Sequence, residues 1–139
     1  KNIDLSLMHC VSGYPVPLNE CNLSAIETIR KLTGCNVGWS DHSASPAILY
    51  RAIHAWKASN IEFHLDLDGE GDEFAPGHCW LPENIQPIIS NVKKSFVADG
   101  DGRKEPTSSE LADREWRADP IDGLRPLKKV RNEWKDKKG

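Results

Sequence analysis

A serine, a carboxylate and an imidazole stand together in Val37-Gly38-Trp39-Ser40-Asp41-His42-Ser43. The run reads as a short strand that ends on its polar residues. Successive strand residues point to opposite faces, so Gly38, Ser40 and His42 share one face and Val37, Trp39 and Asp41 the other. A hydroxyl and an imidazole at the C-terminal end of a strand is where parallel α/β proteins build their sites. A second imidazole, His64, lies in the alternating run Asn60 to Asp66. There Ile61, Phe63 and Leu65 face one way, and Glu62, His64 and Asp66 the other. Such a pair of histidines either ligates a divalent metal or is satisfied by hydrogen bonds, and spacing alone leaves both open. Asp41 reads as structural, orienting a loop or a neighbouring histidine, and Glu62 as a partner on the polar face. His9 shares its face with apolar residues and reads as packed. His54 reads as a helix-surface or packing residue, and His78 as either loop surface or a substrate contact.

Holding these side chains in place requires strands linked by helices. Ile3 to Val11 reads as a first strand, broken by Gly13-Tyr14-Pro15-Val16-Pro17. A helix follows from about Asn22, a plausible N-cap, to Thr33. Its stripe is Leu23, Ile26, Ile29 and Leu32, with Gly34 as its stop. After the central strand, Pro46 opens a second helix to about Ala58, with Ile48, Leu49, Ala52, Ile53 and Trp56 at helical spacing. The third strand, Asn60 to Asp66, alternates as an antiparallel strand with one wet face would. The β-α-β-α-β order nevertheless requires parallel strands, because helical crossovers join parallel neighbours. An acidic, glycine-containing loop spans Asp68 to Cys79. A third helix covers about Pro82 to Val97, with Pro87 expected to delay its regular start. Its buried stripe is Ile85, Ile88, Ile89, Val92 and Phe96.

From Asp99 the character changes. Residues 100–139 read as a polar linker and tail after a folded region over residues 1–99. Ser109 is expected to cap a short helix reaching Trp116, and the basic run from Arg125 to be mobile or draped over a surface. The 139 residues allow at most one modest domain, and 38% hydrophobic residues suffice for a core. A net charge of -3 argues against broad nucleic-acid binding, and no apolar run approaches a membrane span. Cys10, Cys21, Cys35 and Cys79 form no CxxC pair. That pattern favours a reducing, cytoplasmic setting over a disulfide framework or a Cys-rich zinc site. A start at Lys1, almost directly on a strand, is what a piece of a longer protein would show.

Three segments resemble one family in order and spacing: Leu7-Met8-His9-Cys10-Val11-Ser12-Gly13-Tyr14-Pro15, Val37-Gly38-Trp39-Ser40-Asp41-His42-Ser43, and Ile61-Glu62-Phe63-His64. With Gly100-Asp101-Gly102-Arg103-Lys104-Glu105-Pro106-Thr107 as an exit, they resemble the C-terminal part of the barrel of the sialic acid (N-acetylneuraminate) synthases. The resemblance runs over roughly residues 3–117. It implies an α/β chain supplying the last three β-α units of a (β/α)₈ TIM barrel, a fold of about 250 residues.

The resemblance also implies a chemistry. Family members condense phosphoenolpyruvate with N-acetylmannosamine or a related amino sugar and release phosphate, with a divalent metal, typically Mn²⁺, polarising the sugar's aldehyde. The metal-binding histidines map onto His42 and His64. Ser40 matches a serine that binds the phosphate of phosphoenolpyruvate, and Tyr14 a tyrosine of the substrate pocket. Ser12, matched to a substrate-binding position on the phosphate side, stands where several members carry asparagine. Members commonly read Pro-Gly-Pro-Asp-His where this chain reads Ala75-Pro76-Gly77-His78. Aligned on His78 as a substrate contact, the acidic residue that helps hold the sugar becomes Gly77, and Glu70, Asp72 or Glu73 would have to compensate. The chain alone is expected to be inactive. A competing expectation is a truncated, inactive paralogue acting as a binding or assembly module, whose open strand edge would drive self-association or recruit a partner chain.

Overall fold

The computed structural model describes residues 5–137. Three strands, β1 (Ser6–Cys10), β2 (Asn36–Asp41) and β3 (Ile61–Phe63), form one parallel sheet in the order β1-β2-β3. Helix α1 (Ala25–Thr33) carries the chain from β1 to β2. Helix α2 (Pro46–Tyr50), widened into a π-type turn over Arg51–Ala55, carries it from β2 to β3. Crossovers of this kind make the pairing parallel, as the element order required. Register sets Cys10 beside Ser40, and Ser40 beside Glu62, so the polar residues of three strands line one face.

The other face is the core. Val37, Trp39 and Asp41 of β2 are fully buried, packed with Ile26 of α1, Leu49 and Ala52 of the second crossover, and Ile85 and Ile88 of α3 (Pro82–Val97). Each large apolar side chain buried here contributes about 1.5–3 kcal/mol. On the polar face Gly38 permits a close approach: a Cβ there would lie 2.5 Å from the Asn60 carbonyl oxygen and 2.5 Å from Met8 Sδ.

Several sequence expectations shift. β1 is shorter than Ile3 to Val11: Val11 has left the ladder, and Ile3 lies outside the described residues. Asn22 is not the N-cap of α1; it takes a left-handed φ of 44°, and Ser24 occupies the cap position. Gly34 does end the helix at φ 70°, donating its N–H to the Arg30 carbonyl at 2.9 Å. Leu32 is 80% exposed instead of completing the stripe. The second crossover stops before Ala58, at Trp56 and a left-handed Lys57. There Arg30 donates to the Trp56 and Lys57 carbonyls at 3.0 and 2.8 Å, satisfying an end that would otherwise leave orphan acceptors. Pro46 opens α2 as expected, and Pro87 lies inside a helix already regular from Pro82. Ile89 and Phe96, expected in the buried stripe of α3, are largely exposed.

β3 ends at Phe63, short of Asp66, because its backbone changes partner. Trp80 donates its N–H to the His64 carbonyl, and Asp66 donates to the Trp80 carbonyl, both at 2.8 Å. The loop between is thereby closed at its neck.

A second compact unit begins at Asp99. Thr107, not Ser109, caps its first 3₁₀ turn, in a reciprocal box with Glu110. The basic tail is not irregular: Lys128–Asp136 forms a helix, α4. The Asp119 carboxylate accepts the N–H groups of Lys128 at 2.6 Å and Ile121 at 2.9 Å, and Arg131 grips Asp122 through two contacts of 2.7 Å. Among the described residues, no helix is long and apolar enough to cross a membrane.

Candidate metal and substrate site

At the C-terminal ends of the strands the chain gathers four rings. Tyr14, on the loop after β1, packs on His42 with centroids 4.2 Å apart, and lies 5.8 Å from His64 and 5.0 Å from His78. His42 and His64 are 5.1 Å apart, and His64 and His78 are 5.0 Å apart. Residues separated widely in sequence meet here because each follows a parallel strand or, for His78, returns to one through the Trp80 neck.

His42 is buried, and its Nδ1 lies 2.9 Å from the Val11 carbonyl oxygen. A carbonyl accepts only, so Nδ1 carries a proton, and in the neutral ring Nε2 keeps its lone pair. This is the tautomer a metal ligand needs, held by a main-chain partner. His64 is partly exposed, with Nδ1 3.3 Å from Glu73 Oε2. Two imidazoles with ring centroids 5.1 Å apart are donors of the type a borderline divalent ion accepts.

Asp41 faces the opposite way. Its carboxylate accepts Trp39 Nε1–H at 3.0 Å, Trp80 Nε1–H at 3.1 Å and the Ser43 hydroxyl at 2.6 Å. It is fully buried and pins the strand end and the Trp80 neck together. The structural reading of Asp41 holds in its loop form: its partners are two indoles and Ser43, not a histidine. His9 is packed as expected, against Trp39 and the Cys21 carbonyl. His54 sits on the helix surface beside Ser95.

Ser40 is buried on the polar face and donates its hydroxyl to the Glu62 carboxylate. Ser12 lies exposed near the same strand end, its hydroxyl 3.9 Å from Cys10 Sγ. Tyr14, His42, His64 and His78 thus form one cluster, while the Ser12 and Ser40 hydroxyls find their hydrogen-bond partners elsewhere, at Cys10 and Glu62. His78 is no surface residue: it is 4% exposed, and its Nδ1 has no hydrogen-bond partner among the described residues. Sequence reading gave Cys79 no role here, yet it comes within reach of His64, Glu73 and His78. Its thiol is pushed up by burial, and further by the nearby Glu73 and Asp66 carboxylates. A lone cysteine in a long loop offers no spacing signal. A separate cleft of about 540 Å³ along β3 and α3 is lined chiefly by apolar residues such as Phe63, Leu65, Ile85 and Ile89, and carries none of these groups.

The sequence model described as the NeuB family matches residues 1–104. The N,N'-diacetyllegionaminic acid synthase of Campylobacter jejuni is 32% identical over 112 residues, covering 79% of this chain and 33% of that protein. The N-acetylneuraminate-9-phosphate synthase of Drosophila melanogaster is 31% identical over 99 residues, covering 68% of this chain and 26% of that protein. The crystal structure of the N-acetylneuraminic acid (sialic acid) synthetase from Leptospira borgpetersenii is similar with a TM-score of 0.60 at 32% identity, over 81% of this chain and 39% of that one. The chain spans about a third, or less, of the length of these curated relatives.

Proposed function

Because this chain belongs to the NeuB family, we propose that it supplies the last three β-α units of a (β/α)₈ barrel in a synthase of nonulosonic acids. The reaction would join phosphoenolpyruvate to N-acetylmannosamine or a related amino sugar and release phosphate. The observation that carries this reading is the meeting of Tyr14, His42 and His64 at the C-terminal ends of adjacent parallel strands, the end at which such barrels work.

His42 and His64 would hold a divalent ion, Mn²⁺ by the family resemblance. Bound there, such an ion supplies Lewis-acid polarisation of the sugar's aldehyde. The Val11 carbonyl keeps the His42 lone pair directed away from the main chain. Ser40 binds the phosphate of phosphoenolpyruvate by turning its O–H from Glu62 towards the incoming oxygen, with Ser12 on the same side. Glu62 must then swing aside, since a carboxylate beside a phosphate is repulsive. Tyr14, half exposed, forms an aromatic wall of the pocket, and His78 lies at its rear. Glu73, beside His64, takes the place left by Gly77 as the acidic group towards the sugar. A cytoplasmic setting suits the four free cysteines.

A second reading, an inactive paralogue serving as a binding or assembly module, draws on the sheet itself. Three strands leave the outer sides of β1 and β3 unpaired among the described residues, Trp80 bridging only to Leu65 beyond the end of β3. Phosphate release separates the two. The chain and the longest natural polypeptide that contains it are incubated with phosphoenolpyruvate, Mn²⁺ and a panel of N-acetylated amino sugars. Sugar-dependent release by the longer polypeptide, with a raised KM for phosphoenolpyruvate in Ser40→Ala, is expected. No release with any sugar, together with self-association by light scattering, would favour the module.

A further inference from the structure

We propose that His64, Glu73, His78 and Cys79 form a second metal site, one that takes a thiophilic divalent ion of the Zn²⁺ class. One donor atom from each of the four lies within 4.8 Å of the others. Two imidazoles, a carboxylate and a thiolate make the mixed N, O and S set that zinc accepts in four-coordinate sites. Bond lengths of about 2.0–2.3 Å put the donors of one tetrahedral ion about 3.5 Å apart, so movements of about 1 Å would close the set.

An independent observation points the same way. His78 is 4% exposed, yet its Nδ1 has no partner. Leaving a buried polar nitrogen unsatisfied costs about 1–3 kcal/mol, and the buried Cys79 stands next to it in the chain. A cation bound at Nδ1 would remove that cost.

The loop is also built to present them. Its neck is the pair of 2.8 Å hydrogen bonds joining Trp80 to His64 and Asp66. Inside, Asp66 Oδ1 accepts the N–H of Gly69 at 2.7 Å and of Asp68 at 3.1 Å, and Cys79 Sγ donates to the Glu73 carbonyl at 3.2 Å. Gly71 leaves room for the Asp66 carboxylate: a Cβ there would fall 2.1 Å from Asp66 Oδ2, which would have to turn away. The loop backbone is therefore closed at its neck and turned by Asp66, and Cys79 gives up its S–H bond to the Glu73 carbonyl when the thiolate binds metal.

This site differs in kind from the His42 and His64 pair. The pair leaves coordination positions open, whereas four protein donors fill a tetrahedral ion and exclude substrate. Both need His64, so a thiophilic ion would compete with the catalytic one and fasten the loop. The inference stands on the loop geometry and does not depend on the synthase reading.

Co²⁺, a spectroscopic stand-in for Zn²⁺, provides the test. Titrating the chain with Co²⁺ should produce a thiolate-to-cobalt charge-transfer band and the intense visible bands of a four-coordinate ion, both erased by added Zn²⁺. Cys79→Ser should abolish the charge-transfer band. His78→Ala should weaken binding by at least the roughly tenfold that even an outer partner of a metal ligand is worth. His42→Ala should leave the spectrum intact. Circular dichroism of each variant confirms that it is folded, and Cys79→Ser changes only one atom. Absence of the charge-transfer band in the parent chain, or its persistence in Cys79→Ser, overturns the proposal. Mn²⁺ binding, which should need His42 and ignore Cys79, reports on the synthase reading separately.

Discussion

At the scale of single residues, the chemistry depends on which atom each polar group gives away. His42 commits Nδ1 to the Val11 carbonyl and keeps Nε2. Asp41 commits its carboxylate to two indoles and the Ser43 hydroxyl, and so carries stability rather than catalysis. Asp41→Ala would strand two buried N–H donors at about 1–3 kcal/mol each. A loss of about 2–6 kcal/mol in urea unfolding is expected, against a near-neutral result if water replaced the carboxylate. Much of this was legible in advance. Strand alternation placed Ser40 and His42 on the polar face and Asp41 on the other. The Trp80 partner was not legible, since it lies 39 positions away and reaches Asp41 only through the neck of the loop. Nor was the role of His78, whose burial depends on that same neck.

Among the elements, the sheet order and α3 followed from periodicity, because long apolar stripes and helical crossovers leave few alternatives. Element ends followed less well. β3 stops early because Trp80 takes over its hydrogen bonds, and no local pattern announces a change of partner. The tail helix α4 was missed because its few apolar residues, Val130 and Trp134, stand in a basic run that reads as solvated; its start is fixed by Asp119, nine positions upstream. Gly38→Ala tests the packing of β2 against its neighbours. The added methyl meets a main-chain oxygen that cannot swing aside, so a loss of about 1–3 kcal/mol is expected, and an unchanged unfolding midpoint would contradict the packing. Asp119 offers a pH test. The N–H groups of Lys128 and Ile121 hold its carboxyl below the ordinary value of 3.8. A group depressed in the folded state stabilises above its unfolded pKa, and that contribution fades as pH falls through the lower folded value. The Lys128 amide proton, followed by NMR, should therefore titrate with a midpoint below 3.8. A midpoint at or above that value would show that the capping bonds are not made in solution.

For the whole molecule, three parallel strands bring Tyr14, His42, His64 and His78 to one end, and membership of the NeuB family gives that end a chemical meaning. The central claim is that His42 and His64 together hold a divalent ion. Mn²⁺ titration followed by electron paramagnetic resonance of the free ion, on the parent chain beside His42→Ala and His64→Ala, tests it most directly. The expected result is saturable binding in the parent that is lost in both variants while their circular dichroism stays native. Binding indifferent to both substitutions, or none in the parent, would contradict a metal site built from these two histidines.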